Sequence, residues 1–142
     1  LDPSITVELD FAEKLPQIKG DSGRIRRVFN NLINNVFEAI PHDMHTVLSI
    51  KTEYISEHGL DFVEIRIKDY GTGVSEEIIN TVFEPYVTTK PKGTGLGLAI
   101  VKKIIEEHGG IVWLENNENS SGASAIIKLP AVMHENSDTS IK

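Results

Sequence analysis

RRVFNNLINNVFEAI, residues 26–40, combines helical apolar spacing with four asparagines: Asn30, Asn31, Asn34 and Asn35. Asparagine is roughly half a kcal/mol poorer than alanine in a helix. Its side chain competes for nearby backbone groups and belongs at caps and turns. On a wheel of about 100° per residue, Ile25, Val28, Phe29, Leu32, Val36, Ala39 and Ile40 form one apolar face. Arg24, Arg27, Asn31, Asn35 and Glu38 follow one another at spacings of three or four, a polar stripe beside that face. Asn30 and Asn34 fall off the stripe and read as solvated surface.

Asn31 and Asn35 stand one turn apart and can point at the same ligand. A carboxamide oxygen is a hard-cation ligand that adds no charge. It suits a magnesium ion already neutralised by phosphates.

Outward from this helix, Asp21 or Ser22 is placed to cap it and Pro41 to stop it, giving a helix over residues 23–40. ITVELDFA upstream alternates apolar and polar residues, as a strand does, and PQIKGD is a candidate short strand. TVLSIKTEYIS and DFVEIRIKDYG are two strands around the turn EHG. Ser75 with Glu76 and Glu77 marks a helix start, with EEIINTVF the short helix. GLAIVKKIIEEHGG is amphipathic through Leu98, Ile100, Val101, Ile104 and Ile105, and Gly109 and Gly110 end it with a left-handed cap. IVWLENN and ASAIIKLP read as a closing hairpin. Adjacent strands pair as hairpins, so the expected fold is an antiparallel or mixed sheet with helices on one face.

The 142 residues suit one domain. A net charge of −7 disfavours a general nucleic-acid surface. The absence of cysteine excludes disulfide frameworks and thiolate metal sites. No apolar run reaches the ~18–20 residues that span a bilayer, and the start LDPSITVELD has no signal-peptide pattern. It also lacks an initiator methionine, which points to a piece of a longer protein. The composition fits a cytoplasmic, soluble domain.

Two glycine-rich stretches carry the chemistry. In KDYGTG, residues 68–73, Asp69 sits at a strand end before Gly71 and Gly73. Glycines let a backbone approach a flat ligand, and a carboxylate there can accept a hydrogen bond from an exocyclic amino group such as adenine's. The same residues also suit an ordinary turn. In KPKGTGLGLAI, residues 90–100, Gly93, Gly95 and Gly97 stand directly before the second amphipathic helix. Free N–H groups and the positive dipole end at a helix start suit phosphate, and Lys90 and Lys92 add charge. A P-loop needs Gly-Lys-Ser/Thr, which GTGLGL lacks. A dinucleotide fingerprint opens directly off a strand, whereas a long polar loop precedes this one.

NNLINNVFEA, DYGTG and GTGLGLAIVKKIIEEHGG stand in this order, with VFEPYVTTK between the last two. Together they resemble the catalytic ATP-binding domain of sensor histidine kinases, nearest the nitrogen-regulation type. That domain belongs to the Bergerat-type family shared with type II topoisomerases and mismatch-repair ATPases. The resemblance covers residues 1–131. It implies an α/β (α+β) two-layer sandwich, a mixed, mostly antiparallel sheet covered on one face by three helices, with ATP held between helices and a mobile lid. Residues 1–132 would form this domain and residues 133–142 a flexible tail.

Carried over by motif, Asn35 matches the magnesium-binding asparagine, and Asn31 lies one turn before it in the same box. Asp69 matches the adenine-binding aspartate, with Gly71, Gly73 and Val74 beside it. Phe83 and Pro85 fall in the phenylalanine box. Lys90, Gly93, Thr94, Gly95, Leu96 and Gly97 match the lid and phosphate loop, with Leu98 following. Gly122 lies near the last glycine box, which departs from the pattern in having Ala125 where an aromatic residue is common. Glu38 departs from the lysine, arginine or glutamine of many members; a salt bridge with Arg27 or Arg24 is one role open to it.

The implied activity is transfer of the γ-phosphoryl group of Mg-ATP to a histidine, with Asn31, Asn35 and Lys90 the catalytic set and ATP and Mg2+ the cofactors. In the related ATPases a glutamate takes the place of Asn31 and activates water; an amide has no useful pKa for that work. His42, His45, His58, His108 and His134 all lack the setting of the phosphoacceptor helix. The acceptor is therefore expected upstream of Leu1, on a dimerisation domain. The implied partners are that domain and a response regulator, with a monomeric isolated domain, a homodimeric full-length protein and a membrane-bound sensor as setting. An ATPase, a protein-serine kinase or a non-catalytic nucleotide-sensing module on the same fold are the alternatives.

Overall fold

A computed structural model of the chain describes residues 5–39, 45–85 and 97–132. Among them run strand β1 (Ile5–Asp10), helix α1 (Ser22–Ala39), strands β2 (Thr46–Glu57) and β3 (Leu60–Lys68), helix α2 (Gly97–Glu107), and strands β4 (Ile111–Asn116) and β5 (Ala123–Pro130). The sheet order is β1-β2-β3-β5-β4. β1 runs parallel to β2, with Ile5 opposite Thr46, and every other pairing is antiparallel. The sheet is mixed because α1 forms the crossover between β1 and β2, and a crossover returns the chain in the same direction. The β2–β3 hairpin turns on His58 and Gly59, with φ of 52° and 78°. That is the paired left-handed geometry that matches strand twist in a two-residue loop.

Alternate residues of the strands supply one layer of the core: Leu48, Val63, Ile65, Ile67, Ala125, Ile127 and Leu129. The helices supply the other, through Val28, Leu32 and Val36 of α1 and Val101, Ile104 and Ile105 of α2. Each such aliphatic side chain contributes about 1.5–3 kcal/mol on burial. The opposite sheet face is mostly polar. In its middle Ile126 is fully covered, outside the main cluster, with Arg66 and Trp113 as its cross-strand neighbours.

Both helix ends follow the sequence. Asp21 Oδ1 accepts the N–H groups of Gly23 and Arg24 at 2.9 and 3.1 Å, the pattern of an N-cap. At the end of α2, Gly110 N–H donates to Ile105 O and Gly109 N–H to Glu106 O, with Gly109 at φ 79°. These are the two bonds of a Schellman cap.

Two expected elements are corrected. EEIINTVF is a run of turns, so two helices stand among the described residues where three were expected. Ser75 starts it as anticipated, its Oγ accepting Glu77 N–H at 3.1 Å. The later bonds, Thr81 N–H to Ile78 O and Glu84 N–H to Thr81 O, step back three residues and sustain no helical ladder. Thr81 Oγ also donates to Ile78 O at 3.1 Å, the local competition that weakens helices. PQIKGD yields only a single bridge, Ile18 opposite Ala131. The tail expected over residues 133–142 lies outside the described residues.

Candidate functional site

The structure separates the asparagines of α1 as the wheel does. Asn30 and Asn34 are exposed; Asn31 and Asn35 are half-buried beside the apolar face. Asn31 Nδ2 donates to the carbonyl of Gly97 at 3.3 Å. That bond joins the polar stripe of α1 to the first residue of α2, where the glycine-rich loop meets the helix. A second link stands at the other end of the helix pair, where Arg24 is ion-paired with Glu107. A third is His108, which follows α2. Its Nδ1 lies 2.7 Å from Ile104 O and its Nε2 accepts Asp21 N–H at 3.1 Å. Donation from Nδ1 fixes the tautomer that leaves Nε2 as acceptor. Arg24 finds Glu107 rather than Glu38 as its partner.

Asp69 follows the last residue of β3. Its carboxylate is oriented by backbone donors: Oδ1 accepts Gly71 N–H at 2.9 Å and Ala123 N–H at 3.2 Å. Its own N–H donates to Ala123 O at 2.9 Å, extending the β3–β5 ladder by one bond. Gly73 has φ 84°, and a Cβ there would sit 2.8 Å from Asn116 Oδ1. Glycine is required at that turn. Val74 and Leu98 pack against the core from its edge, and Phe83 is buried in it. Lys90, Gly93, Thr94, Gly95 and Leu96 lie outside the described residues.

Several functional neighbours were not singled out from the sequence. Asn116, Asn117, Ser121 and Ser124 surround the Asp69 loop, and ENNENSSG reads simply as turn chemistry. Nothing local signals partners more than forty residues upstream. Gly122, assigned only to an imperfect motif, is buried with φ 97° against the Asp69 backbone.

Among the described residues, no group of three or more His, Asp or Glu side chains could hold a metal ion. A magnesium ion here would rest on phosphate oxygens, water and neutral amide oxygens, a donor set that the ion accepts. The half-buried carboxamide of Asn35 fits that role in type.

A mixed sheet under a pair of helices, with an oriented aspartate at one strand end and Asn31 bonded to the first residue of α2, is an α/β sandwich of two layers. Residues 20–133 match the family described as histidine kinase-, DNA gyrase B- and HSP90-like ATPases, and the chain belongs to that family. It is similar to sporulation kinase A of Bacillus subtilis, 41% identical over 122 residues, which cover 86% of this chain and 19% of that protein. It is similar to the nitrogen regulation protein NtrY of Azorhizobium caulinodans, 38% identical over 130 residues, 89% of this chain and 16% of that one. Among solved structures, the catalytic domain of histidine kinase ThkA superposes with a TM-score of 0.76 at 33% identity, covering 90% of this chain and 80% of that one. ThkA in complex with the response regulator protein TrrA gives a TM-score of 0.70 at 30% identity, covering 90% of this chain and 34% of that one. The chain spans less than a fifth of the length of sporulation kinase A and of NtrY. It is of the catalytic-domain type of sensor histidine kinases.

Proposed function

We propose that this domain binds Mg-ATP and donates the γ-phosphoryl group to a histidine on a dimerisation domain, for relay to a response regulator. The observation that carries this is the Asn31–Gly97 contact, which joins the polar stripe of α1 to the first residue of α2. Sporulation kinase A and histidine kinase ThkA are kinases by name, and ThkA has been solved with a response regulator protein.

Asp69, held by two backbone amides, accepts a hydrogen bond from the exocyclic amino group of adenine. Its Oδ1 already takes two donors; among the described residues Oδ2 takes none. Gly71 and Gly73 keep side chains out of the plane where the base lies. The amides of residues 93–97 and Lys90 take the phosphates, with α2 adding its N-terminal dipole. Magnesium, when bound, neutralises phosphate charge as the γ-group leaves. Asn35 would offer a neutral oxygen to that ion, and Asn31, bonded to Gly97 O, cannot abstract a proton and so would not activate water. The chain's contribution is therefore position and charge, and the acceptor histidine brings the nucleophile. Among the described residues no helix is long and apolar enough to cross a membrane. We place the domain on the cytoplasmic side of a homodimeric sensor, itself monomeric when isolated.

The test is to add purified dimerisation helices of the same protein, with Mg-ATP, and to look for acid-labile, base-stable phosphate on histidine. Its appearance supports the reading. Steady phosphate release from the domain alone would point to an ATPase, and an acid-stable phosphoserine to a serine kinase. Nucleotide binding with no transfer at all would leave a sensing module.

A further inference from the structure

We propose that Asn116 and Asn117, where β4 leaves the sheet, are positioning residues for the nucleotide base. They hold the loop over residues 69–74 in the shape in which Asp69 can distinguish adenine from guanine. The inference deepens the reading of Asp69 given above and rests on it.

The loop has little to hold itself. Its internal bonds are Gly71 N–H to Asp69 Oδ1 and a long contact from Thr72 Oγ to Gly73 O. With two glycines it is among the most permissive stretches of the chain. What fixes it comes from the β4–β5 hairpin. At the far end of the loop, the Asn116 carboxamide clasps Val74 from both sides: Oδ1 accepts Val74 N–H at 2.8 Å and Nδ2 donates to Val74 O at 2.7 Å. At the near end, Asn117 Nδ2 donates to Asp69 O at 2.8 Å and to Ser121 O at 2.8 Å. Asn117 Oδ1 is itself held by Ser124 Oγ at 2.8 Å, a side chain only 2% exposed. Ser121 Oγ completes the set by donating to Tyr70 O at 3.1 Å.

A carboxamide carries a donor and an acceptor side by side, as a peptide group does. Asn116 therefore replaces the neighbouring strand that Val74 lacks, and Asn117 bridges the hairpin loop to the end of β3. Both ends of the base-facing loop are thus fixed by one rigid element. Sites whose supporting shell is fixed hold their geometry; loose ones lose selectivity first. Guanine presents a carbonyl where adenine presents an amino group, so a well-placed carboxylate repels it. A carboxylate on a loosened loop repels it less.

The experiment measures ADP and GDP affinity by calorimetry for the wild-type chain, Asn116→Ala, Asn116→Asp and Asp69→Asn, with amide exchange at Val74. Asn116→Ala should weaken ADP binding by about tenfold and leave GDP binding unchanged, so the ADP preference collapses. Asn116→Asp keeps the acceptor for Val74 N–H and loses the donor, and should fall between. Should the alanine variant not fold, the aspartate variant carries the same comparison. A fall in melting temperature with the ADP preference intact overturns the positioning role and leaves the Asp69 reading standing. Unchanged ADP affinity in Asp69→Asn overturns that reading instead. The exchange rate at Val74 would then report the loop's bracing independently of the base.

Discussion

A Cβ placed on Gly122 would lie 2.3 Å from the carbonyl oxygen of Asp69. It would also meet Tyr70 Cα at 2.7 Å, and Gly122 itself has φ 97°. Both obstacles are backbone, which cannot rotate away as a side chain end can. Gly122→Ala should therefore cost about 2–4 kcal/mol, from left-handed strain and displacement of the Asp69 turn together. Urea unfolding measures the loss. Because the turn carries Asp69, ADP affinity should fall in the protein that remains folded. A variant as stable as wild type would mean that the hairpin does not press on the Asp69 backbone.

His108 ties the end of α2 to the start of α1. Removing it takes away the acceptor of Asp21 N–H, His108 Nε2, and leaves that N–H to water. Gly20 packs on the same ring, since a Cβ there would sit 2.8 Å from His108 Cδ2. His108→Ala should cost roughly 0.5–1.5 kcal/mol, the net worth of a hydrogen bond whose exposed donor can turn to water. Gly20→Ala should cost less, because a ring can shift where a backbone cannot. Thermal unfolding of the two variants gives the order. If Gly20→Ala proved the worse, the ring would be more tightly held than its two hydrogen bonds imply.

The sequence states those parts of this fold that depend on neighbours within a few residues. The α1 wheel, the Asp21 cap, the His58–Gly59 turn and the Gly109 cap are all local, and all stand as read. The short helix after Ser75 is a run of turns whose later backbone bonds step back three residues, which apolar spacing does not report. The Asp69 loop was found through its glycines. What holds it was not, because Asn117 and Asp69 are 48 residues apart and meet only once β3 and β5 pair. Gly122 was undervalued for the same reason: its constraint is a backbone from another strand.

Asn31 stands where the hydrolases of the family keep a glutamate, according to the resemblance in the α1 motif. It is half-buried, and its amide reaches Gly97 O, which a carboxylate would not favour. Asn31→Glu should weaken that contact and supply a base beside the proposed phosphate loop. Steady phosphate release from the isolated domain should rise by about tenfold or more, within what a positioned base contributes. Coupled phosphate detection under saturating Mg-ATP follows it, with Asn31→Gln as the variant of matched length without a base. Equal rates in the two would show that this position does not face the γ-phosphate.

The four asparagines of α1 divide into two pairs by exposure, and the pairs should respond oppositely to alanine. Asn30 and Asn34 are exposed on the helix surface, so they retain the intrinsic handicap of asparagine in a helix. Asn30→Ala and Asn34→Ala should each stabilise the domain by roughly 0.5 kcal/mol and leave ATP affinity unchanged. Asn31→Ala removes the bond to Gly97 O, so its propensity gain is offset and stability should change little. Asn35→Ala should abolish the magnesium dependence of ATP binding, since the neutral oxygen offered to the ion is gone. Paired urea melts and titrations with and without magnesium separate the two effects. Persistent magnesium dependence in Asn35→Ala, or a loss of ATP affinity in Asn30→Ala, would reverse the assignment of the pairs.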